Sequence, residues 1–260
     1  MRELRRRYPA ASTIYLGDTA RVPYGTKSAE TVERYALNNA AYLLDQGVDL
    51  IVVACNTASA WAMDSLGALA VPCIGVVEPG ARLALRTAEG GTVGVLGTAG
   101  TIRSGAYDRA IKSVSPNCTI SSIACPLFVP LAEEGWGESD IARQVVREYL
   151  GEWIEAPKAR PRAVILGCTH YPMLKNIIGE VLGEGSVLID SASAVAEEIE
   201  HLVGDDSSDS ETEHRLILTD ASEGFVDLAG KLLEGMNGGL PEIEHVDLSH
   251  VHMKSEAKQD

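Results

Sequence analysis

Aromatic side chains are scarce in this 260-residue chain, at 5 % with two Phe and three Trp, so any core has to be built from Val, Ile, Leu and Ala. Basic charge is scarce too. The net charge is −15 and no cationic stripe occurs beyond Arg5 to Arg7, which excludes the electrostatic footprint that nucleic acid requires. No apolar run is long enough to cross a membrane and no secretory leader pattern is present, so the expectation is a cytosolic protein with no membrane partner. The five cysteines include no C-x-x-C pair or other metal spacing; they read as free thiols, and neither a zinc site nor a dithiol redox centre is expected. A P-loop is missing. The stretch G-V-L-G-T-A-G at 94–100 lacks the G-x-G opening of a dinucleotide turn, and no Lys stands out as a Schiff-base anchor for pyridoxal phosphate. No cofactor and no metal are therefore expected.

What is present is an ordinary globular balance, 45 % apolar and 23 % charged, in a chain long enough for one large domain or two small ones. Apolar runs and helical stretches alternate along its whole length. Strands are expected at 13–16, 50–53, 73–77, 92–96, 119–123, 164–167, 186–189, 214–219 and 243–248. Between them the pattern predicts helices at 28–46 with Ser28 as N-cap, from 56, from 79 to 87, after the 97–101 turn to about 114, and at 139–154 with Ile141, Val145, Tyr149 and Trp153 on one face. Further helices are expected to end near 182 and 203 and to span 223–234, after a basic helical start at 1–9. The acidic run 204–211 reads as a solvated loop and 250–260 as a disordered tail. The class is α/β with mainly parallel sheets.

Two stretches carry the chemistry. Residues 164–172 read V-I-L-G-C-T-H-Y-P, and residues 51–60 read I-V-V-A-C-N-T-A-S-A. Each is an unalternating apolar run, as in a strand covered on both faces, and each delivers a Cys at the carboxyl end, where open parallel sheets bind ligands. There the backbone N–H groups and dipole of the next helix favour a thiolate. A lone buried Cys is more often a core residue, and Cys73, Cys118 and Cys125, without polar companions, read that way. His170, two residues from Cys168, reads as its activator. Glu133 and Glu134 read equally as a solvated helix end or as site residues, and the hydroxyls of Thr98 and Thr101 at a strand-to-helix turn suit a carboxylate. Two thiols, one from each half of the chain, suit the inversion of a carbon centre, which needs one base on each face.

Five segments then carry a family resemblance: I-Y-L-G-D-T-A-R-V-P-Y-G at 14–25, A-C-N-T-A-S-A at 54–60, G-T-A-G-T-I-R-S-G-A-Y at 97–107, C-P-L-F-V-P-L-A-E-E-G at 125–135 and L-G-C-T-H-Y-P at 166–172. Together they resemble the glutamate racemase family over residues 4–248. The resemblance implies two similar α/β domains with the active site at their interface, residues 1–78 plus 188–249 forming the first and 79–187 the second. It implies a cofactor-independent interconversion of L- and D-glutamate for peptidoglycan, by a cytoplasmic homodimer. It assigns catalysis to Cys55, Cys168, His170 and Glu133, and substrate binding to Pro23, Tyr24, Gly25, Asn56, Thr57, Thr98, Thr101, Thr169 and His170.

One departure stands out. The family begins with a strand ending in a D-S-G-V-G-G turn, whose Asp assists the first thiol, and Asp18 in the G-D-T turn does not match it. A start assigned too late is the favoured explanation; a truncated, weakened enzyme or a catalytically dead glutamate-binding protein is the alternative. A racemase for aspartate or another amino acid remains open within the same fold.

Overall fold

The computed structural model describes residues 1–156, 160–203, 212–221 and 242–251. The chain runs α1 Arg2–Arg7, β1 Thr13–Gly17, α2 Ala29–Asp45, β2 Ile51–Val53, α3 Asn56–Leu66, β3 Cys73–Gly75, α4 Val77–Ala88, β4 Val93–Gly97, α5 Ala99–Ser104 and α6 Ala106–Val114. It continues through β5 Ile120–Ala124, α7 Phe128–Glu133, α8 Asp140–Glu155, β6 Ala163–Gly167, α9 Lys175–Leu182, β7 Val187–Asp190, α10 Ser191–Glu198, β8 His214–Leu218 and β9 Ile243–His245. The expected helix at 223–234, the acidic loop at 204–211 and the tail from 252 lie outside the described residues. Every strand pairing described is parallel, and helices flank the sheets, so the fold is α/β of the expected kind.

The largest sheet has the order β5-β4-β6-β7. Its two central strands, V-G-V-L-G and A-V-I-L-G, are buried at every position, because alternate residues point to opposite faces and both faces are covered. Leu96, Val164 and Leu166 join α7, α8 and α9 in one core. Val93, Val95, Ala163 and Ile165 join α4 and α6 in the other. With few aromatics available, fully buried aliphatic side chains such as Leu150, Ile165 and Leu166 supply most of the stabilisation, about 1.5–3 kcal/mol each. Removing one, as in Leu150→Ala, costs about 2–5 kcal/mol.

The remaining strands form a three-stranded sheet, β1-β8-β9, and a two-stranded sheet, β2-β3. Among the described residues no ladder joins β1 to β2. Helices α2 and α3 pack on each other through Ala36, Ala40, Ala58 and Ala62. Strand β7 pairs with β6 through Asp190, so the chain leaves the four-stranded sheet after 190 rather than at 188.

Three local expectations are corrected. The strand at 73–77 stops at Gly75, and Glu78 and Pro79 lie in the first turn of α4; Pro is tolerated there because first-turn N–H groups have no intrahelical acceptor. The single helix expected up to 114 is broken at Gly105, whose φ of +64° ends α5. In α8 the buried face is Ala142, Val146, Leu150 and Trp153, while Ile141 is exposed. A repeat of four drifts roughly 40° per step against a helix of 3.6 residues per turn, so Ile141 cannot share a face with Trp153.

Candidate active site

Both thiols stand where the strands end. Cys55 follows β2 and is the N-cap of α3. Ser59, one turn on, fixes this corner by donating to the Val53 carbonyl at 2.8 Å and accepting from the Val76 amide at 3.2 Å. Cys168 follows β6 and enters a tight turn in which the Tyr171 amide donates to the Cys168 carbonyl at 3.2 Å. The two sulfurs come from different sheets.

The helix-terminal donors are in place, but burial outweighs them. Burial pushes the Cys55 thiol up, although the Ala58 and Thr57 amides and the Thr57 hydroxyl pull it down. Burial likewise pushes Cys168 up to about 12 against the pull of the His170 and Tyr171 amides. Strand-end position alone was expected to favour the thiolate; desolvation makes the resting form of both the thiol.

For Cys168 an acceptor is at hand. His170 Nδ1 lies 3.8 Å from Cys168 Sγ and 3.4 Å from Thr169 Oγ1, and His170 Nε2 lies 3.1 Å from Glu133 Oε1. Burial lowers the His170 pKa and Glu133 partly offsets this, so near neutrality the imidazole is uncharged. Nε2–H then donates to Glu133 and Nδ1 is the free base facing the thiol. Of the two neighbouring carboxylates it is Glu133, at the end of α7, that reaches His170. The reason lies in the packing: the Phe128 ring meets Tyr171 edge-on with centroids 5.1 Å apart, and the Tyr171 hydroxyl donates to the Cys125 carbonyl at 2.8 Å. Helix α7 is thereby locked to the Cys168 turn.

Across the cleft, Thr57, Thr98 and Thr101 form a triangle of buried hydroxyls with edges of 3.0, 3.1 and 3.1 Å. Thr98 also caps α5, accepting from the Thr101 amide. These hydroxyls tie α3 to α5. Gly25 and Gly100 allow the Tyr24–Thr26 turn to close on α5: a Cβ on Gly25 would fall 2.6 Å from Thr98 Cβ, and one on Gly100 2.9 Å from the Gly25 carbonyl oxygen. Tyr24 and Gly25 are buried, whereas Thr169 and Pro23 are exposed.

Sequence reasoning missed two groups. Asp18 is buried and accepts from the Tyr24 hydroxyl, from Arg21 Nε at 2.7 Å and from Thr219 Oγ1 at 3.3 Å, so it organises the turn that carries Gly25. The three-residue spacing of Asp18 and Arg21 was the available signal. Tyr107, in the last motif position of 97–107, donates to Asn56 at 2.6 Å; nothing in its local sequence marks it. The cavity of about 360 Å³ beside α4 and α10 involves none of these residues, and its Arg82 and Arg86 are already paired with Glu198 and Glu197. Among the described residues no three His, Cys, Asp or Glu side chains are grouped to hold a metal, and no helix is long and apolar enough to cross a membrane.

This arrangement has close counterparts. A glutamate racemase from Geobacter metallireducens is 44 % identical over 248 residues, covering 94 % of this chain and 91 % of that protein. Among solved structures, a glutamate racemase isoform from Bacillus anthracis superposes with a TM-score of 0.86 at 34 % identity, covering 95 % of this chain and 91 % of the other. One from Francisella tularensis, in complex with D-glutamate, gives 0.86 at 35 % identity, covering 95 % and 92 %. The family model for Asp/Glu/hydantoin racemases matches residues 1–199, a span that holds both thiols, His170 and Glu133, and the chain belongs to that family.

Proposed function

We propose that this protein is a cofactor-independent glutamate racemase in which Cys55 and Cys168 act on opposite faces of the substrate α-carbon. The observation that carries the reading is the pair of thiols at the ends of strands from separate sheets, with Tyr107 packed at Gly167 beside Cys168 and bonded to Asn56 beside Cys55. In one direction a thiolate takes the proton as the Cα–H bond breaks, and the opposite thiol delivers its proton to the other face. The reverse reaction exchanges their roles. Because both resting thiols are protonated, one must first lose its proton. For Cys168 the acceptor is His170 Nδ1, and Glu133 stabilises the imidazolium that results. Cys55 relies on the Thr57 and Ala58 amides, the Thr57 hydroxyl and the end of the α3 dipole.

The α-proton is weakly acidic, so charge arriving on the substrate carboxylate must meet fixed donors in a site closed to water. Asn56, Thr57 and Thr169 are the side chains assigned to that contact, with the Pro23-Tyr24-Gly25 turn and Thr98 and Thr101 closing the cleft. Within the same proposal the lobes are 1–78 with the chain after 190, and the segment between them. A cytoplasmic homodimer supplying D-glutamate to peptidoglycan completes it, supported by the family resemblance.

The test is chiral chromatography of L- and D-glutamate and aspartate incubated with the wild type and with Cys55→Ala and Cys168→Ala, with and without chelator. Glutamate racemisation that survives chelation and disappears in both variants, with unchanged circular dichroism, is the expected result. Near-native turnover in either variant rules out the two-thiol reading, and preference for aspartate rules out the substrate.

A further inference from the structure

Tyr107 lies in the first turn of α6 and is 2 % exposed. Its surroundings place it between the two thiol-bearing turns. A Cβ on Gly167, the residue before Cys168, would fall 3.3 Å from the Tyr107 ring, and one on Gly80 would fall 3.5 Å from its hydroxyl. From there the hydroxyl reaches Asn56, the residue after Cys55, and donates to its Oδ1 at 2.6 Å. The phenol sits under one strand end and holds the other.

The chemistry of that bond is directional. Burial raises the Tyr107 pKa far above the working range, so the group is always a phenol and always able to donate. A donor at this position selects the amide orientation that turns Oδ1 toward it, and Nδ2 with its two hydrogens is left for the other side. Among the described residues no protein acceptor takes those hydrogens. Asn56 is buried as a residue, yet its Nδ2 is not one of the buried side-chain atoms left without a partner, so those hydrogens reach accessible space where a ligand can accept them.

We propose that Tyr107 is a positioning residue that holds the Asn56 amide as a donor for the substrate carboxylate, an inference that rests on the racemase reading of the site. As the α-carbon loses its proton, negative charge moves onto the carboxylate oxygens. A donor already oriented there stabilises the transition state more than the bound substrate, so its loss shows in kcat more than in KM.

The experiment compares Tyr107→Phe, Asn56→Ala, the double variant and Asn56→Asp, each with kcat, KM and melting temperature. Tyr107→Phe is expected to lower kcat by about 10-fold or more while KM changes by less than about 3-fold. Adding it to Asn56→Ala is expected to cost nothing further in kcat, because both changes remove the same oriented donor. Asn56→Asp keeps an acceptor for Tyr107 but has no N–H to offer and brings a carboxylate into a buried position, so it reproduces the loss in kcat and lowers the melting temperature. Tyr107→Phe with wild-type kcat, losses that multiply in the double variant, or an active Asn56→Asp each overturn the proposal. A wild-type chain without racemase activity overturns the reading of the site beneath it, an outcome separable from these because it appears before any variant is made.

Discussion

Replacing Glu133 by Gln probes the relay proposed for Cys168, in which Glu133 acts through His170. The substitution keeps size and hydrogen-bonding capacity and removes the charge 3.1 Å from His170 Nε2. When Cys168 passes its proton to His170, the imidazolium is stabilised by that carboxylate, and without it the thiolate is harder to reach. Unit charges at such separations interact by ~1 kcal/mol in bulk water and ~4 kcal/mol near a protein surface. The Glu133 side chain is 49 % exposed and that of His170 27 %, so screening favours the lower part of this range, about 1–2 kcal/mol. That corresponds to roughly a tenfold loss of rate.

The equilibrium constant between enantiomers is unity, so kcat/KM must fall equally in both directions. The asymmetry can appear only in kcat and KM taken separately and in isotope effects. With α-deuterated L- and D-glutamate, followed by circular dichroism, the primary isotope effect should rise most in the direction where Cys168 abstracts the proton. A variant with wild-type kcat/KM would refute the relay. So would a loss as complete as that of Cys168→Ala, because a group acting through His170 cannot be worth as much as the sulfur that makes and breaks the bond.

Other consequences concern pH and the closure of the cleft. The folded Cys168 thiol lies near 12 against an ordinary 9.0, so the unfolded chain loses its proton first as pH rises. Stability is fully present below pH 9 and should decline between 9 and 12; thermal melts across that range, less steep in Cys168→Ala, check the sign. His170 is shifted the opposite way, downward from 6.5, so the unfolded state gains protons first on acidification and the melting temperature should begin to fall below about pH 6.5. In Gly100→Ala the new methyl would lie 2.9 Å from the Gly25 backbone oxygen, forcing the Tyr24–Thr26 turn away from α5. The expected cost is about 1–3 kcal/mol of stability, read in urea melts, together with a rise in KM; a KM equal to wild type would show that closure of this turn does not shape the site.

Much of this protein was legible along the chain because the signals are local. An apolar run of five residues with no alternation has to be covered on both faces, and β4 and β6 are buried throughout. Ser28 caps α2 as its side chain predicts, since a cap bond spans three residues. The family motifs likewise lie in unbroken segments. Packing decided the rest. Periodicity by fours misplaced the buried face of α8 by one residue, and only contact with the sheet selects Val146 and Leu150 over Ile141. Whether Glu133 or Glu134 meets His170 depends on how α7 docks on Tyr171, which neither carboxylate's own sequence encodes. The balance at the thiols is also tertiary: the helix N-terminus that favours a thiolate follows from order along the chain, whereas the desolvation that overrides it comes from elements distant in sequence. For the same reason the bond from Tyr107 to Asn56 could not be foreseen, because it joins residues whose neighbourhood exists only once the two sheets are brought together.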